Sequence, residues 1–220
     1  MSQPFPQLSM DGWYGFFHLV SITLHDMFFR GAVRGPDNIP AAGPCIIASN
    51  HASYFDPGVV AAHTPRQIHF FARSTLWKPG FPAWWLDSLK VIPVDRDGGS
   101  DVKAARAVLK AMRENKVISM FPEGTRSPDG GLQPAKPGVG MFACRTGAPV
   151  VPARIFGAFE AFGRDGKIRP FTPISLVFGK PLWPADYDDP SKGKERYQHA
   201  SDIIMSRIAA LSPPAPPAVI

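Results

Sequence analysis

The sequence predicts an α/β fold: a single domain with a mixed, mostly parallel sheet and helices on its faces. Three observations point there. Short apolar runs bounded by turn residues, at 44–49, 117–120 and 149–155, have the length and composition of strands. Segments with helical periodicity lie between such runs, the clearest at 101–115. Strands that alternate with helices, in a chain without internal repeats, favour a sheet joined by crossovers.

In chain order, Trp13 to Phe29 is apolar and aromatic but interrupted by His18, His25 and Asp26. It is shorter than the ~20 residues a spanning helix needs, and it lacks the flanks of a signal peptide. Two readings stay open: a helix lying in the membrane interface, with Arg30 and Arg34 just beyond, or a core helix covering the sheet. Gly35 to Pro40 is rich in turn residues, and Pro44 to Ser49 reads as the first strand. Asp56-Pro57 starts a helix, with aspartate as N-cap and proline as first helical residue, running to about His63. Gln67 to Ala72 reads as the next strand. Leu76 to Leu86 packs three tryptophans and Phe81 around Pro79 and Pro82. That composition suits lipid headgroups or an acyl-chain groove, with ordinary packing as the alternative.

Lys90 to Val94 is a further strand, leading through Asp95-Arg96-Asp97 to a turn at Gly98-Gly99. Ser100-Asp101 caps a helix to about Asn115, whose Val102, Ala105, Val108, Leu109 and Met112 form an apolar stripe assigned to the core. Pro128 to Gly131 is a surface turn between the strand 117–120 and a helix from Gly138 to Thr146 that Gly147 stops. Strands at 149–155 and 174–178 and a helix from Ser191 to Leu211 complete the fold. The expected divisions are an apolar N-terminal segment, 1–33, a main domain, 34–211, and a proline-rich tail, 212–220.

Composition narrows the function. The chain of 220 residues is 45% hydrophobic and 19% charged, so it folds rather than staying disordered. A formal charge of +6 and a pI near 9.5 favour anionic partners: phosphorylated metabolites, an anionic membrane surface or nucleic acid. The basic residues are scattered, without the runs or motif spacings that nucleic-acid binding calls for, so nucleic acid is not expected. Cys45 and Cys144 are far apart and read as core residues, which fits a reducing compartment and argues against disulfides or a zinc site. No phosphate-cradling glycine fingerprint supports a nucleotide cofactor.

Two stretches carry chemistry. His51 and Asp56 stand five positions apart after a strand, and on a regular helix they would point about 140° apart. They can meet only across a bend, which Asp56-Pro57 supplies. Alone, such a pair reads more readily as a structural histidine beside a capping aspartate. The second stretch, Phe121-Pro122-Glu123-Gly124-Thr125-Arg126-Ser127, also follows an apolar strand. Together, N-H-x-x-x-x-D from Asn50 to Asp56 and F-P-E-G-T-R-S from Phe121 to Ser127, the chain resembles the glycerophosphate and lysophosphatidate acyltransferase family (PlsC-like). Val91 to Arg96 resembles the family's second motif, with Pro93 in place of an aromatic. Val151-Pro152-Ala153-Arg154-Ile155 resembles the fourth, and the similarity runs from about Arg34 to Lys180.

The resemblance implies the glycerolphosphate acyltransferase-like fold and acyl transfer from acyl-coenzyme A or acyl carrier protein to the free hydroxyl of a lysophosphatidate-like acceptor. Neither a metal nor a bound cofactor is implied. His51 would be the general base, with Asp56 fixing its tautomer and stabilising the imidazolium. The substrate then brings the nucleophile, which the resemblance favours over Ser53 as an acyl carrier. Gly124, Thr125 and Arg126 suit a phosphate, through backbone N–H groups, a hydroxyl and a guanidinium, and Arg96 and Lys136 are further candidate anion contacts. Glu123 would repel a phosphate, so it is assigned to acceptor-hydroxyl binding or to orienting an arginine, with a helix-start carboxylate as the alternative. The expected setting is the cytoplasmic face of the cell membrane, peripheral or monotopic. Competing readings are acyl transfer to another lysophospholipid or hydroxylated lipid, a hydrolase with His51 and Asp56 as metal ligands, and a non-catalytic lipid-binding protein.

Overall fold

A computed structural model describes residues 10, 12–89, 91–94 and 101–214. Arg96, the Gly98-Gly99 turn, the Ser100 cap and residues 215–220 of the tail lie outside the described residues. The elements are α1 (Gly12–Phe28), β1 (Arg30–Arg34), β2 (Cys45–Ser49), α2 (Asp56–Ala62), β3 (Ile68–His69), β4 (Phe71–Arg73), α3 (Phe81–Ser88), β5 (Ile92–Val94), α4 (Asp101–Arg113), β6 (Val117–Met120), α5 (Gly138–Thr146), β7 (Val150–Phe156), α6 (Ala158–Phe162), β8 (Ile174–Phe178), α7 (Pro184–Tyr187) and α8 (Arg196–Ala209). Short 3-10 turns complete the set.

Six strands form one sheet in the order β1-β8-β7-β2-β6-β3, and β4 and β5 form a separate parallel pair. Within the large sheet only β7 and β8 are antiparallel, so the expected α/β class with a mixed, mostly parallel sheet holds. β2 sits between β7 and β6, and all five of its residues are buried. A strand covered on both faces needs no polar alternation, which is why Cys45-Ile46-Ile47-Ala48 is an unbroken apolar run. Cys45 and Ile47 pack on one side with Tyr14 of α1 and Val59 and Val60 of α2. Ile46 and Ala48 pack on the other with Val108 and Met112 of α4, Phe142 of α5, and Ile204 and Ile208 of α8. α5 ends at Gly147, whose left-handed φ of 62° suits glycine and lets its N–H return to the Ala143 carbonyl.

Several boundaries differ from expectation, each for a physical reason. Gln67 to Ala72 is not one strand: the chain leaves β6 after His69 and restarts at Phe71 against β5. The α4 stripe is buried at Val108 and Met112 and packed at Ala105 and Leu109, but Val102 is 55% exposed and does not join it in the core. Asp56 is not an N-cap. Phe55 occupies that position, and Asp56 is the first helical residue, with its carboxylate turned back toward the preceding bend. The closing helix begins at Arg196, after a 3-10 segment over Pro190–Glu195.

α1 turns three polar rings inward and several large apolar side chains outward. The Tyr14 hydroxyl accepts from the Ile68 N–H, His25 pairs with the Ile174 carbonyl and His63, and the His18 ring meets the Thr64 carbonyl. Trp13, Phe16, Leu19, Leu24 and Met27 are exposed. Trp13 also meets Trp84 of α3 edge-on at 5.4 Å, joining the two aromatic segments in one surface patch. No helix among the described residues is long and apolar enough to cross a membrane.

Candidate active site

β2 and β6 are parallel and in register, Ala48 beside Met120, so their carboxyl ends deliver the His51 turn and the Glu123 loop to the same edge of the sheet. Asn50 fixes the turn. Its side-chain amide donates to the Ile155 carbonyl at 3.1 Å, and its oxygen accepts from the Ile155 N–H at 2.7 Å. One residue on, the His51 ring lies stacked on Phe121, with centroids 4.0 Å apart and planes at 17°.

Asp56 organises the bend. Its Oδ2 accepts from the His51 Nδ1 at 2.8 Å, from the Ala52 N–H at 2.6 Å and from the Ser53 N–H at 2.7 Å. With Oδ2 already taking two backbone N–H groups, Nδ1 carries the third proton and Nε2 is left with its lone pair. Asp56 is wholly buried, and its Oδ1 has no hydrogen-bond partner. Ser53 is buried too. Its hydroxyl donates to the Phe162 carbonyl at 2.7 Å and accepts from the Phe55 N–H at 3.0 Å.

The second stretch is bonded directly to the first. The Ser127 N–H donates to the His51 carbonyl at 2.7 Å, and the His51 N–H donates to Glu123 Oε1 at 3.2 Å. Glu123 is 2% exposed and its Oε2 has no partner. Burial, opposed by the His51 N–H and aided by the nearby Asp56 charge, pushes its carboxyl up to about 7. Its carboxylate thus holds the His51 backbone N–H, a contact the sequence did not suggest. Gly124 takes a left-handed φ of 68°, and a Cβ there would stand 3.0 Å from Lys136 Cδ. The Lys136 N–H is bonded to the Pro122 carbonyl at 2.9 Å, so the lysine stem lies over the glycine. Thr125 is exposed, and the Arg126 guanidinium lies 3.5 Å from the Tyr54 ring centroid, with a buried Nη1 that has no partner.

Of the sequence-derived site residues, His51, Asp56, Glu123, Gly124, Thr125, Arg126 and Lys136 therefore belong to one connected group, while Arg96 lies outside the described residues. Sequence reasoning missed Asn50 and Phe121 as supports, although both stand inside the motifs. It also missed Tyr54 and Arg164, for which no local pattern speaks. Among the described residues no three His, Cys, Asp or Glu side chains gather as a metal-ligating set.

The parallel sheet thus brings a histidine–aspartate pair and an arginine-bearing loop to the carboxyl ends of adjacent strands, where open α/β sheets of enzymes bind their ligands. A family model described as Acyltransferase matches residues 30–156, more than half of the chain, and the protein belongs to that family. The 1-acyl-sn-glycerol-3-phosphate acyltransferase of Bacillus subtilis is 30% identical over 83% of this chain and 89% of its own length. The chloroplastic enzyme BAT2 of Brassica napus is 30% identical over 76% of this chain, which spans about half (49%) of that longer protein. Among solved structures, the 1-acyl-sn-glycerophosphate acyltransferase PlsC of Thermotoga maritima superposes with a TM-score of 0.67 at 25% identity, covering 89% of this chain and 76% of that one.

Proposed function

We propose that the protein transfers a fatty acyl group from a thioester, acyl-coenzyme A or acyl carrier protein, to the free hydroxyl of 1-acyl-glycerol-3-phosphate, giving phosphatidate. The observation that carries this is the bonding of the two stretches: His51, held by Asp56 through its ring, is held by Glu123 and Ser127 through its backbone. The names of the relatives support the acceptor. His51 Nε2 takes the proton as the acceptor oxygen attacks the thioester carbon. Asp56 stabilises the imidazolium, the C–S bond breaks, and the leaving thiolate recovers the proton. The buried Ser53 hydroxyl supports direct transfer without an acyl-enzyme.

Arg126, with an unpaired buried Nη1, supplies the charge for the acceptor phosphate, helped by Lys136 and the Gly124-Thr125 backbone. Glu123, partly protonated near neutral pH, repels that phosphate less than a surface carboxylate would. The outward aromatic residues of α1 and α3 rest on an anionic membrane surface, where the lysophosphatidate acceptor resides. General-base help contributes about 10²–10⁴-fold, and alignment of the two substrates a larger share, roughly 7–11 kcal/mol. The test is thiol release from acyl-coenzyme A with a panel of lysolipids. Lysophosphatidate is expected to be the best acceptor, with activity lost in His51→Ala. Equal rates with acceptors lacking the phosphate would refute the acceptor, and a fully active His51→Ala would refute the base.

A further inference from the structure

Arg126 is gripped by two residues that belong to neither half of the expected anion site. On one side the Tyr54 ring lies 3.5 Å from the guanidinium carbon. On the other, Arg164 Nη2 donates to the Arg126 carbonyl and, at 3.4 Å, to the Thr125 hydroxyl. Arg164 stands on the loop after α6, beyond residue 156 where the family match ends. Both sides of the grip are themselves anchored. Tyr54 packs on Phe162 with centroids 5.1 Å apart, and the Phe162 carbonyl accepts from the Ser53 hydroxyl at 2.7 Å. The α6 loop and the His51 turn thus form one connected wall around Arg126, whose buried Nη1 is left without a partner.

We propose that Tyr54 and Arg164 are positioning residues that fix Arg126 and so set the grip of the enzyme on the phosphate of its acceptor. A long arginine side chain loses rotamer freedom whenever it is immobilised on an anion. Here the Tyr54 ring has taken up that freedom before the acceptor arrives, while Arg164 holds the main chain from which the guanidinium projects. Arg164, which is exposed, is not needed for the core, and its bond to a main-chain carbonyl holds the loop rather than the substrate.

This inference rests on the acyl-transfer reading, and the experiment separates the two. KM for lysophosphatidate, KM for the acyl thioester and kcat are measured for the parent enzyme and for Arg126→Ala, Arg164→Ala, Tyr54→Ala, Tyr54→Phe and the Arg126→Ala/Arg164→Ala double variant. Arg164→Ala and Tyr54→Ala are expected to raise the acceptor KM about 3- to 10-fold, the reach of one ordinary contact, with donor KM and kcat within about twofold. Tyr54→Phe keeps the ring and behaves like the parent. In the Arg126→Ala background, loss of Arg164 adds less than about twofold, because the main chain it holds no longer carries a guanidinium to place. An acceptor KM that rises in Arg126→Ala but stays put in both Arg164→Ala and Tyr54→Ala overturns the positioning role alone, as do fully additive effects in the double variant. An active parent whose acceptor KM ignores Arg126→Ala overturns the phosphate contact and the inference together.

Discussion

Asp56→Asn isolates the electrostatic part of catalysis while keeping the bend in place. The amide oxygen can still accept from the Ala52 and Ser53 N–H groups, which now lie 2.6 and 2.7 Å from Oδ2. Charge-assisted hydrogen bonds contribute about 1.5–3 kcal/mol and neutral ones about 0.5–1.5, so each loses about 1 kcal/mol. That loss is offset in part because a buried carboxylate no longer has to be desolvated. The fold should therefore survive with a modest drop in melting temperature. Turnover suffers more. The imidazolium formed at His51 loses the anion that sits 2.8 Å from Nδ1. Removing general-base help of about 10²–10⁴-fold raises the barrier by roughly 2.7–5.4 kcal/mol. The acceptor KM should hardly move, since Asp56 touches no group assigned to the phosphate. Thiol release at saturating donor and acceptor, with a thermal melt on the same sample, measures both. Turnover within threefold of the parent, in a protein that melts normally, would refute the role of Asp56.

Three further outcomes are expected. Glu123 has its carboxyl raised from 4.5 to about 7 in the folded state. The native state thus holds a proton that the unfolded state releases, and the associated stability, complete below about 4.5, is lost as pH climbs through 7. Glu123→Gln abolishes that loss, so its urea midpoint should gain on the parent by about 3 kcal/mol equivalent between pH 4 and pH 8; parallel curves for the two proteins would contradict the burial argument. Ser53→Ala should be destabilised by about 1–2 kcal/mol through its two lost hydrogen bonds, yet keep its turnover per folded molecule, whereas an acyl-serine route predicts complete loss. Trp13→Ser/Phe16→Ser should weaken sedimentation with phosphatidylglycerol vesicles by about 10²-fold or more, given about 1.5–3 kcal/mol for each large apolar side chain taken out of water. Unchanged partitioning would remove α1 from the membrane contact.

Legibility in the sequence followed the range over which each feature is decided. β2, β6 and β7 could be read because central strands are covered on both faces and their apolar runs are self-contained. β1, Arg30-Gly31-Ala32-Val33-Arg34, carries an arginine at each end and no apolar run, and only its partner β8 makes it a strand. The break at Phe70 was hidden because which sheet a residue joins is a tertiary choice. Helical periodicity gave the direction of the α4 stripe but not how far along the helix it is covered, so Val102 was misplaced. In the site, His51, Asp56, Glu123 and Arg126 were legible because they stand at the fixed spacing of two short motifs, each confined to one turn. Tyr54 and Arg164 were not: one stacks across a gap in sequence, and the other binds a main-chain carbonyl, which demands no pattern around it.

The pairing of β1 with β8 has a consequence for biosynthesis. The Ala32 N–H is bonded to the Ser175 hydroxyl, 143 positions later. At roughly 5–20 residues per second, a ribosome needs on the order of 7–30 s to supply the second partner after the first. Throughout that interval the start of the chain, with its exposed tryptophan and phenylalanine side chains, emerges before the strand that will anchor it. Those rings are therefore synthesised well before the sheet on which α1 packs can close.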